Sequence, residues 1–224
     1  MNTNTEAVEG ADIVFLAVKP QFMSDLCKEI SPVIQGKQPL IISLAGVTST
    51  DDIASALGSD KLGIVRVMTN TPIEFCKGTT AIFANTFITA SQRALSESIF
   101  AALGRAFWVD KESILNTLTA PVGCAPAYVF LFLEVLQEAA MSRGIPEPLA
   151  AEIALTSVFG AAELAKQSGS SFTKLRKNVT TPNGVTARSL EQISFPKFFD
   201  SFKQVFKAAE DRIEEISGVQ HARL

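Results

Sequence analysis

The residues best suited to bind a small anion lie in a segment whose charged side chains are all basic. Between Glu163 and Glu191 the chain has five basic residues and no acidic one, although the whole chain has 20 basic and 23 acidic residues and a net charge of −3. A local excess of positive charge favours an anionic ligand, but a solvated charged face is the simpler explanation. The five residues are Lys166, Lys174, Arg176, Lys177 and Arg188.

The same segment contains residues 179–186, VTTPNGVT, which we call the threonine loop. Its threonines, Asn183 and Gly184 directly precede a predicted helix, whose first N–H groups lack partners within the helix. Such a turn suits a carboxylate or a phosphate, because the N-terminal end of a helix is electrically positive. An ordinary capped helix begins with the same residue types, so both interpretations stay open.

Three further candidate segments, the strand-end loops, follow predicted parallel strands at residues 17–20, 45–46 and 69–72. In open α/β sheets, ligands bind just beyond the carboxyl ends of the strands. Lys19 and Asn70 would offer hydrogen-bond donors to ribose or phosphate groups. Each loop alone is an ordinary turn, but three in series favour a ligand site.

Residues 119–128, TAPVGCAPAY, are mostly small and open the longest apolar helix. Small residues let the backbone approach a ligand or a neighbouring helix closely, and the sequence leaves both roles open. Within this stretch we interpret Cys124 as a packed thiol rather than a nucleophile, because no basic partner is identifiable.

The rarest residues argue against several classes of protein. The single histidine, His221, lies near the chain end, which is a poor place to hold an imidazole for a Ser-His-Asp or Cys-His mechanism. The three cysteines form no C-x-x-C motif, which disfavours structural zinc and indicates reduced thiols in a cytosolic protein. The balanced charge disfavours nucleic-acid binding, no apolar run reaches the ~18 residues of a membrane span, and no secretory leader is evident.

The first half of the chain alternates strand and helix signals. Apolar, β-branched runs are typical of strands covered on both faces, and polar residues before apolar repeats predict helix starts. This alternation predicts a mainly parallel sheet wrapped by helices. Strands are predicted at 12–18, 40–44, 62–68, 79–84 and 106–109, and helices at 21–31, from Thr50 and at 91–103.

The second half, from Asp110 on, contains no convincing strand. The helix predicted at 125–143 is apolar on most faces, so either its own domain or a partner subunit must bury it. Further helices are predicted at 147–167, 184–193 and 196–217.

Six motifs follow one another along this chain. They are ADIVFLAVKPQ (11–21), ISLAGV (42–47), RVMTNTP (66–72), Gly104 with Trp108 and Val109, TAPVGCAPAYVFLFLE (119–134) and VTTPNGVT (179–186). Each motif alone is weak, but the ordered set is specific. From about Glu6 to about Ile216, the chain resembles the pyrroline-5-carboxylate reductase family of proline biosynthesis.

The resemblance implies an α/β Rossmann-type dinucleotide-binding domain at 1–110 and an all-α helical dimerisation and substrate domain at 111–224. It implies a cytoplasmic oxidoreductase that transfers a hydride from NADPH or NADH to the C=N carbon of 1-pyrroline-5-carboxylate. It also implies a homodimer or larger homo-oligomer, with no metal, nucleic acid or membrane involved. An imine can carry its own proton, so such a reaction needs no histidine acid.

Motif positions also carry over the family's residue roles. Thr186 is expected to hydrogen-bond the imine nitrogen as the catalytic group. The expected cradle for the substrate carboxylate, made largely of backbone N–H groups, consists of Thr180, Thr181, Asn183, Gly184 and Val185. The expected cofactor-binding residues are Ala17, Val18, Lys19, Pro20, Ala45, Gly46, Asn70 and Thr71.

Several positions depart from the family pattern. Where the family's motif reads like SGSGPAY, Val122 and Cys124 each replace a hydroxyl and Ala125 replaces a glycine. Asn183 stands where glycine is common, although asparagine tolerates the same left-handed backbone. Ser189 stands where a smaller residue is usual. The Ala125 side chain, where glycine is usual, predicts a narrower site beside the substrate, and the changes together predict less than full activity.

The largest departure is that no G-x-G-x-x-G turn occurs anywhere in the chain. In a Rossmann domain this turn opens the helix that holds the pyrophosphate. Met1 aligns with a point beyond the family's second strand, so about fifty to sixty residues of the first βαβ unit are not in this chain. We therefore expect weak NADPH binding and impaired turnover.

Two alternatives stay open at the level of sequence. One is a non-catalytic remnant that keeps the oligomerising helical domain. The other is an oxidoreductase similar to the β-hydroxyacid dehydrogenases, which use a lysine of the helical domain as acid or base. In that case Lys166 or Lys174 would be the catalytic residue instead of Thr186.

Overall fold

The structure is a computed structural model that describes residues 3–59 and 61–221, with side chains as far as residue 218. The side chain of the single histidine, His221, therefore lies outside the described part of the chain. The chain divides into two compact units. The sheet unit comprises residues 1–126 and 205–224, and the helical unit comprises residues 127–204.

A five-stranded sheet in the order β1-β2-β3-β4-β5 forms the centre of the sheet unit. Three of its four adjacent pairs are parallel, as the sequence predicts, but β3 and β4 are antiparallel. Only nine residues separate these two strands, which is shorter than the dozen or more that a parallel crossover needs. The strands are β1 (Ile13–Leu16), β2 (Leu40–Ser43), β3 (Ile64–Met68), β4 (Gly78–Ala84) and β5 (Gly104–Trp108).

Apolar side chains bury both faces of this sheet. On one face Val14 and Leu16 pack with Cys27 and Ile53 from the helices that follow β1 and β2. On the other face, strand residues such as Ile42 pack with the helix that precedes β5. The helices of this unit are α1 (Asn4–Val8), α2 (Met23–Ile34), α3 (Thr50–Ala56), α4 (Ala90–Ala102) and α5 (Ser113–Thr117).

Reciprocal side-chain caps begin two of these helices. Ser49 caps α3, since its hydroxyl accepts from Asp52 N–H while the Asp52 carboxylate accepts from Ser49 N–H. Thr89 and Gln92 do the same for α4. Each cap satisfies backbone donors that would otherwise lack partners, which is typically worth about 1 kcal/mol.

Gly104 sits where β4 and β5 come closest. It pairs with Gly78 in the β-ladder, and its φ of +141° lies in a region that L side chains rarely adopt. A Cβ atom on Gly104 would lie 2.2 Å from the carbonyl oxygen of Gly78. Glycine is therefore required at position 104, because the backbones of the two strands come too close there for a side chain.

The remaining helices are long and leave much apolar surface exposed. The sequence left two ways to bury the helix from residue 125, by its own domain or by a partner subunit, and its own domain does not bury it, because α6 has no buried residue within this chain. Phe130, Leu131 and Phe132 are all exposed. A partner subunit is therefore the remaining candidate for covering α6. The helices are α6 (Ala125–Met141), α7 (Glu147–Ser168), α8 (Phe172–Asn178), α9 (Val185–Leu190) and α10 (Phe195–His221).

One helix, α7, is long and apolar enough to cross a membrane when judged by length and composition alone. A helix that packs against another protein passes the same test. Only Ala150 and Ala154 of α7 are buried within the chain, and Glu152, Glu163 and Lys166 interrupt its apolar surface.

Some elements were not predicted. The short helices α1, α5 and α8 lack the repeated apolar spacing on which helix prediction depends. The helix predicted at 184–193 is only the six-residue α9. Two 3₁₀ turns, Pro20–Phe22 and Thr71–Phe75, and a π-helical turn, Thr119–Gly123, were also not predicted.

The buried thiol of Cys27 makes folding stability depend on pH. Burial raises the pKa of Cys27 to about 12, compared with about 8.5 in an unfolded chain. Because the folded pKa is higher, this contribution is complete below about pH 8.5 and is lost as the pH rises towards 12, by up to about 1.4 kcal/mol per pH unit. Between about pH 8 and 10, we expect the free energy of unfolding by urea to fall more steeply with pH in the native chain than in Cys27→Ala.

The matched control for this measurement is Cys76→Ala, since Cys76 is an exposed free thiol. It should leave the pH slope of the unfolding free energy unchanged. Equal slopes for the native chain and Cys27→Ala would contradict the prediction.

Candidate active site

The strand-end loops share one edge of the sheet. Strands β1, β2 and β3 are parallel neighbours, so the residues that follow them leave the sheet on the same side. The structure therefore brings together the three loops that the sequence identifies: Ala17, Val18, Lys19 and Pro20 after β1, Ala45 and Gly46 after β2, and Asn70 and Thr71 after β3. Within the described residues, no ion pair or hydrogen bond engages the Lys19 ammonium, which leaves its donors available.

The loop after β2 is fixed from within the sheet by Arg66. This residue lies in the middle of β3, and its Nη2 donates to the carbonyl oxygen of Gly46 and, at 2.8 Å, to Oδ1 of Asn116. The side chain is 3% exposed. A buried guanidinium therefore holds the backbone of a predicted cofactor-binding residue in place.

Glu112 neutralises Arg66 and completes this network. Its Oε1 lies 3.1 Å from Nη1 of Arg66 and accepts from the backbone N–H of Thr50 at 2.8 Å. Its Oε2 accepts from the Thr50 hydroxyl at 2.9 Å. The carboxylate thus binds the first turn of α3, where negative charge is favoured, as well as the buried arginine.

Sequence reasoning missed this Arg66–Glu112 network. The available signal was a single charge, Arg66, inside the otherwise apolar run of β3. A buried charge needs a partner, so the position predicted that some partner exists. It did not indicate which one, because Glu112 lies 46 residues further along the chain.

The loop after β3 is braced by its own side chains. Asn70 Oδ1 accepts from the backbone N–H of Thr79 at 2.9 Å, and the hydroxyls of Thr69 and Thr80 lie 2.8 Å apart. The bond to Thr79 uses only the amide oxygen of Asn70, which accepts, so the amide nitrogen keeps the predicted role of donor.

The small-residue stretch packs closely against the end of β3. A Cβ atom on Gly123 would lie 3.2 Å from Sδ of Met68 and 3.9 Å from the carbonyl oxygen of Thr69. This supports the packing interpretation for Gly123, at the end of the π-helical turn. Cys124 follows it as a half-buried free thiol.

The threonine loop joins α8 to α9 in the helical unit. Asn183 has a φ of 58°, which is the left-handed conformation that its asparagine identity was expected to tolerate. Gly184 N–H donates to the carbonyl oxygen of Thr181 at 3.0 Å, and Thr180 N–H donates to the carbonyl oxygen of Lys177. A Cβ atom on Gly184 would lie 2.3 Å from Oγ1 of Thr181, so this tight turn needs glycine.

These contacts reduce the number of N–H groups in the predicted cradle that can bind a carboxylate. The N–H groups of Thr180 and Gly184 already donate to the carbonyl oxygens of Lys177 and Thr181, so they have no free proton for a carboxylate. Val185 and Thr186 begin α9 and are exposed, and the first N–H groups of a helix have no partner inside it. The donors that remain are therefore concentrated at the start of α9.

Two of the five basic residues of this segment already have partners. Arg188 pairs with Glu191 at 2.5 Å, and the guanidinium of Arg176 lies 4.6 Å from the ring centre of Phe195. The Glu191 carboxylate offsets the charge of Arg188, whereas the neutral Phe195 ring leaves the charge of Arg176 in place. No group of three or more His, Cys, Asp or Glu side chains arranged to hold a metal occurs among the described residues.

The predicted cofactor residues lie in the sheet unit, and the predicted substrate residues lie in the helical unit. A Rossmann-like sheet with free loops at one edge, followed by an all-helical unit, is the organisation of a two-domain nicotinamide-dependent oxidoreductase. Comparison with known proteins shows which family of this class is present.

Two family models match the chain. Residues 112–216 match pyrroline-5-carboxylate reductase dimerisation, and residues 1–46 match NADP oxidoreductase coenzyme F420-dependent. The pyrroline-5-carboxylate reductase of Pseudomonas aeruginosa is 32% identical over 217 residues, which are 97% of this chain and 79% of that protein. The chain therefore belongs to the pyrroline-5-carboxylate reductase family.

Solved structures agree with this assignment. A pyrroline-5-carboxylate reductase from Coxiella burnetii has a TM-score of 0.88 at 35% identity and is covered over 80% of its chain. A pyrroline carboxylate reductase from Plasmodium falciparum, solved with NADP bound, has a TM-score of 0.88 at 27% identity and is covered over 81%. The Rossmann-like and helical architecture predicted from sequence is confirmed.

The Arg66–Glu112 pair should contribute strongly to stability. Removing one partner of a buried ion pair leaves the other charge uncompensated, which typically costs 3–5 kcal/mol. We expect Glu112→Ala to lower the free energy of unfolding by about 3 kcal/mol, near the lower limit because Glu112 is partly exposed. Urea denaturation followed by circular dichroism measures this change.

The exposed pair Arg188–Glu191 provides the control. Glu191→Ala should change the unfolding free energy by less than about 1 kcal/mol, because solvent screens such a pair. Equal effects of Glu112→Ala and Glu191→Ala would show that the buried network is not a stabilising centre.

Proposed function

We propose that this chain catalyses the reduction of 1-pyrroline-5-carboxylate to L-proline with a nicotinamide cofactor. The observation that carries the proposal is the match to pyrroline-5-carboxylate reductases over nearly the whole chain, at a TM-score of 0.88 for two solved structures. The cofactor supplies the hydride, and the side chains of this protein bind, orient and polarise the imine.

Thr186 is the proposed catalytic residue. Its hydroxyl, exposed at the first turn of α9, would hydrogen-bond the imine nitrogen and favour the polarised C=N bond. The left-handed Asn183 and the tight Gly184 turn support this role, because they fix where α9 begins. Positioning and polarisation of this kind account for much of the rate in enzymes that lack a strong acid.

The substrate carboxylate is proposed to bind the same loop. Val185 and Thr186 would donate their backbone N–H groups, with Thr181 and Asn183 beside them. The Thr180 hydroxyl donates to the carbonyl oxygen of Arg176 at 2.7 Å and fixes the end of α8. Thr180 would therefore position the loop and not bind the carboxylate directly.

The strand-end loops are proposed to bind the dinucleotide. Lys19 and the amide nitrogen of Asn70 would donate hydrogen bonds to the dinucleotide. The Ala45–Gly46 backbone, which Arg66 holds in place, would let the dinucleotide approach closely. NADPH is the proposed cofactor, supported by the NADP oxidoreductase family match and by the NADP bound in the Plasmodium falciparum relative.

The protein is a homo-oligomer, as its dimerisation-domain family indicates. We propose a dinucleotide-binding domain at 1–110, a dimerisation and substrate domain at 111–224, and a cytoplasmic location. The exposed apolar face of α6 supports the dimer, because an apolar helix needs cover from another surface.

Activity of this 224-residue polypeptide on its own is proposed to be impaired. The reason is the absence of any glycine-rich turn in its sequence, which removes the usual binding site for a pyrophosphate. A defined oligomer that shows no reduction even after a glycine-rich first unit is added would favour the non-catalytic alternative.

Substitution of Thr186 should impair chemistry more than substitution of either candidate lysine. We expect Thr186→Ala to lower kcat by about a hundredfold or more, the usual cost of removing one donor to a polarised group. Thr186→Ser should retain most of the activity because it keeps the hydroxyl. Single-turnover assays with excess protein measure these rates.

Lys166→Ala and Lys174→Ala are the matched controls, and both should leave kcat within a fewfold of the native value. A loss confined to one lysine variant, with Thr186→Ala active, would instead assign the β-hydroxyacid-dehydrogenase type of acid–base chemistry.

NADPH binding should be weak in this polypeptide. We expect a dissociation constant above about 1 mM, at the upper limit of usual KM values, since the pyrophosphate contacts are absent. Fluorescence titration against the Pseudomonas aeruginosa reductase as the reference checks this. Affinity equal to that of the reference, with robust turnover, would refute the proposed impairment.

A further inference from the structure

A cavity of about 630 Å³ lies in the sheet unit between helix α3 and the end of strand β4, and we call it the α3 cavity. It is lined by one face of α3, by Phe83, by residues 85–87 and by Glu112. None of the residues expected to bind the cofactor or the substrate lines it. Its volume is in the range of about 300–1,000 Å³ that is usual for sites of small organic ligands.

The wall that α3 contributes is polar. Asp51 and Ser55 lie one helical turn apart on the same face, and Ser59 follows in the turn after the helix. Asp51 and Ser55 are exposed. Within the described residues, no ion pair or side-chain hydrogen bond engages the Asp51 carboxylate or the Ser55 hydroxyl. Both side chains can therefore accept hydrogen bonds from a ligand.

A second carboxylate lies at the end of the cavity where α3 begins. Glu112 accepts from the N–H and the hydroxyl of Thr50, the residue before Asp51, and its side chain is 20% exposed. Arg66 balances the charge of Glu112, so Asp51 carries the uncompensated charge of the cavity. Among the described residues that line the cavity, none is basic. A cleft whose charged side chains are all acidic favours a cation over an anion.

The side of the cavity that β4 contributes is aromatic. Phe83 lies on β4, and Phe87, which is 50% exposed, lies in the turn that follows. Asn85 holds this turn beside the start of β3, because its Oδ1 accepts from Ile64 N–H at 3.1 Å and its Nδ2 donates to the carbonyl oxygen of Leu62 at 2.9 Å. The start of β3 follows the end of α3 along the chain. Phe87 therefore lies towards the end of α3, whereas the two carboxylates lie at its beginning.

We propose that the α3 cavity binds an organic cation in which a short chain joins an ammonium group to a flat apolar group. The ammonium would pair with Asp51 at the start of α3, with the Ser55 hydroxyl as a further acceptor. The flat group would pack against Phe83 and Phe87. Each end of the ligand then meets side chains of matching character. The inference concerns binding alone and does not rest on the proposed reductase activity.

The test titrates the 224-residue chain with phenethylamine, followed by isothermal titration calorimetry. We expect saturable binding. Two probes of similar shape serve as references, the uncharged phenethyl alcohol and the anionic phenylpropionate. Both should bind about tenfold or more weakly than the amine, because neither offers a positive charge to Asp51.

Two variants test the two ends of the cavity. Asp51→Asn should weaken phenethylamine binding by about tenfold or more, and Phe87→Ala by about threefold or more. Both positions are exposed, so both variants should fold normally. The matched control for charge is Asp25→Asn, since Asp25 is exposed in the first turn of α2 as Asp51 is in that of α3. The control for Phe87 is Phe75→Ala, at a 74% exposed position outside the cavity.

Three results would overturn the proposal. One is no saturable binding of phenethylamine by a chain that circular dichroism shows to be folded. Another is equal weakening by Asp51→Asn and Asp25→Asn, which would show only a general attraction to the negative charge of the chain. The third is binding of the alcohol or of phenylpropionate as tight as that of the amine, which would assign the cavity to an uncharged or an anionic ligand.

Discussion

A buried positive charge in the middle of the sheet links separate parts of the edge where the strand-end loops lie. Arg66 in β3 reaches the Gly46 carbonyl, Asn116 and Glu112, and Glu112 in turn binds the first turn of α3. Three sequence-distant segments, residues 46–50, strand β3 and residues 112–116, are therefore joined through one guanidinium. Since an uncompensated charge in this place is very unfavourable, the loop after β2 and the start of α5 must adopt their positions together.

The functional loops on the two units are ordered in different ways. In the sheet unit, side-chain hydrogen bonds tie the loops to the strands, as Arg66 of β3 holds Gly46 and Asn70 of the loop after β3 holds Thr79 of β4. In the helical unit, the threonine loop is held by its own backbone, through the Gly184–Thr181 bond and the left-handed Asn183. This difference suits the proposed roles, because a flat dinucleotide needs several aligned loops, whereas one small carboxylate needs a single compact turn.

The parts of this structure that sequence predicts are those that local pattern determines. The apolar runs predicted all five strands, and helical spacing predicted the long helices, because burial imposes a fixed period on both. The antiparallel direction of β4 was not predicted, although the short connection before it can be read from the sequence and is too short for a parallel crossover. Glu112 escaped prediction because its partnership with Arg66 is a long-range contact. The left-handed backbone at Asn183 could be predicted from the sequence, because asparagine is one of the few residues that tolerate this conformation.

The apolar helices of the helical unit have a thermodynamic consequence. Since α6 has no buried residue within one chain and α7 has only two, the free energy that apolar burial contributes to this unit comes from association. For such a protein, folding and assembly form a single equilibrium whose position depends on the amount of protein present. Dilution is then a denaturing condition in its own right, and a cell that makes less of this polypeptide also makes it less stable.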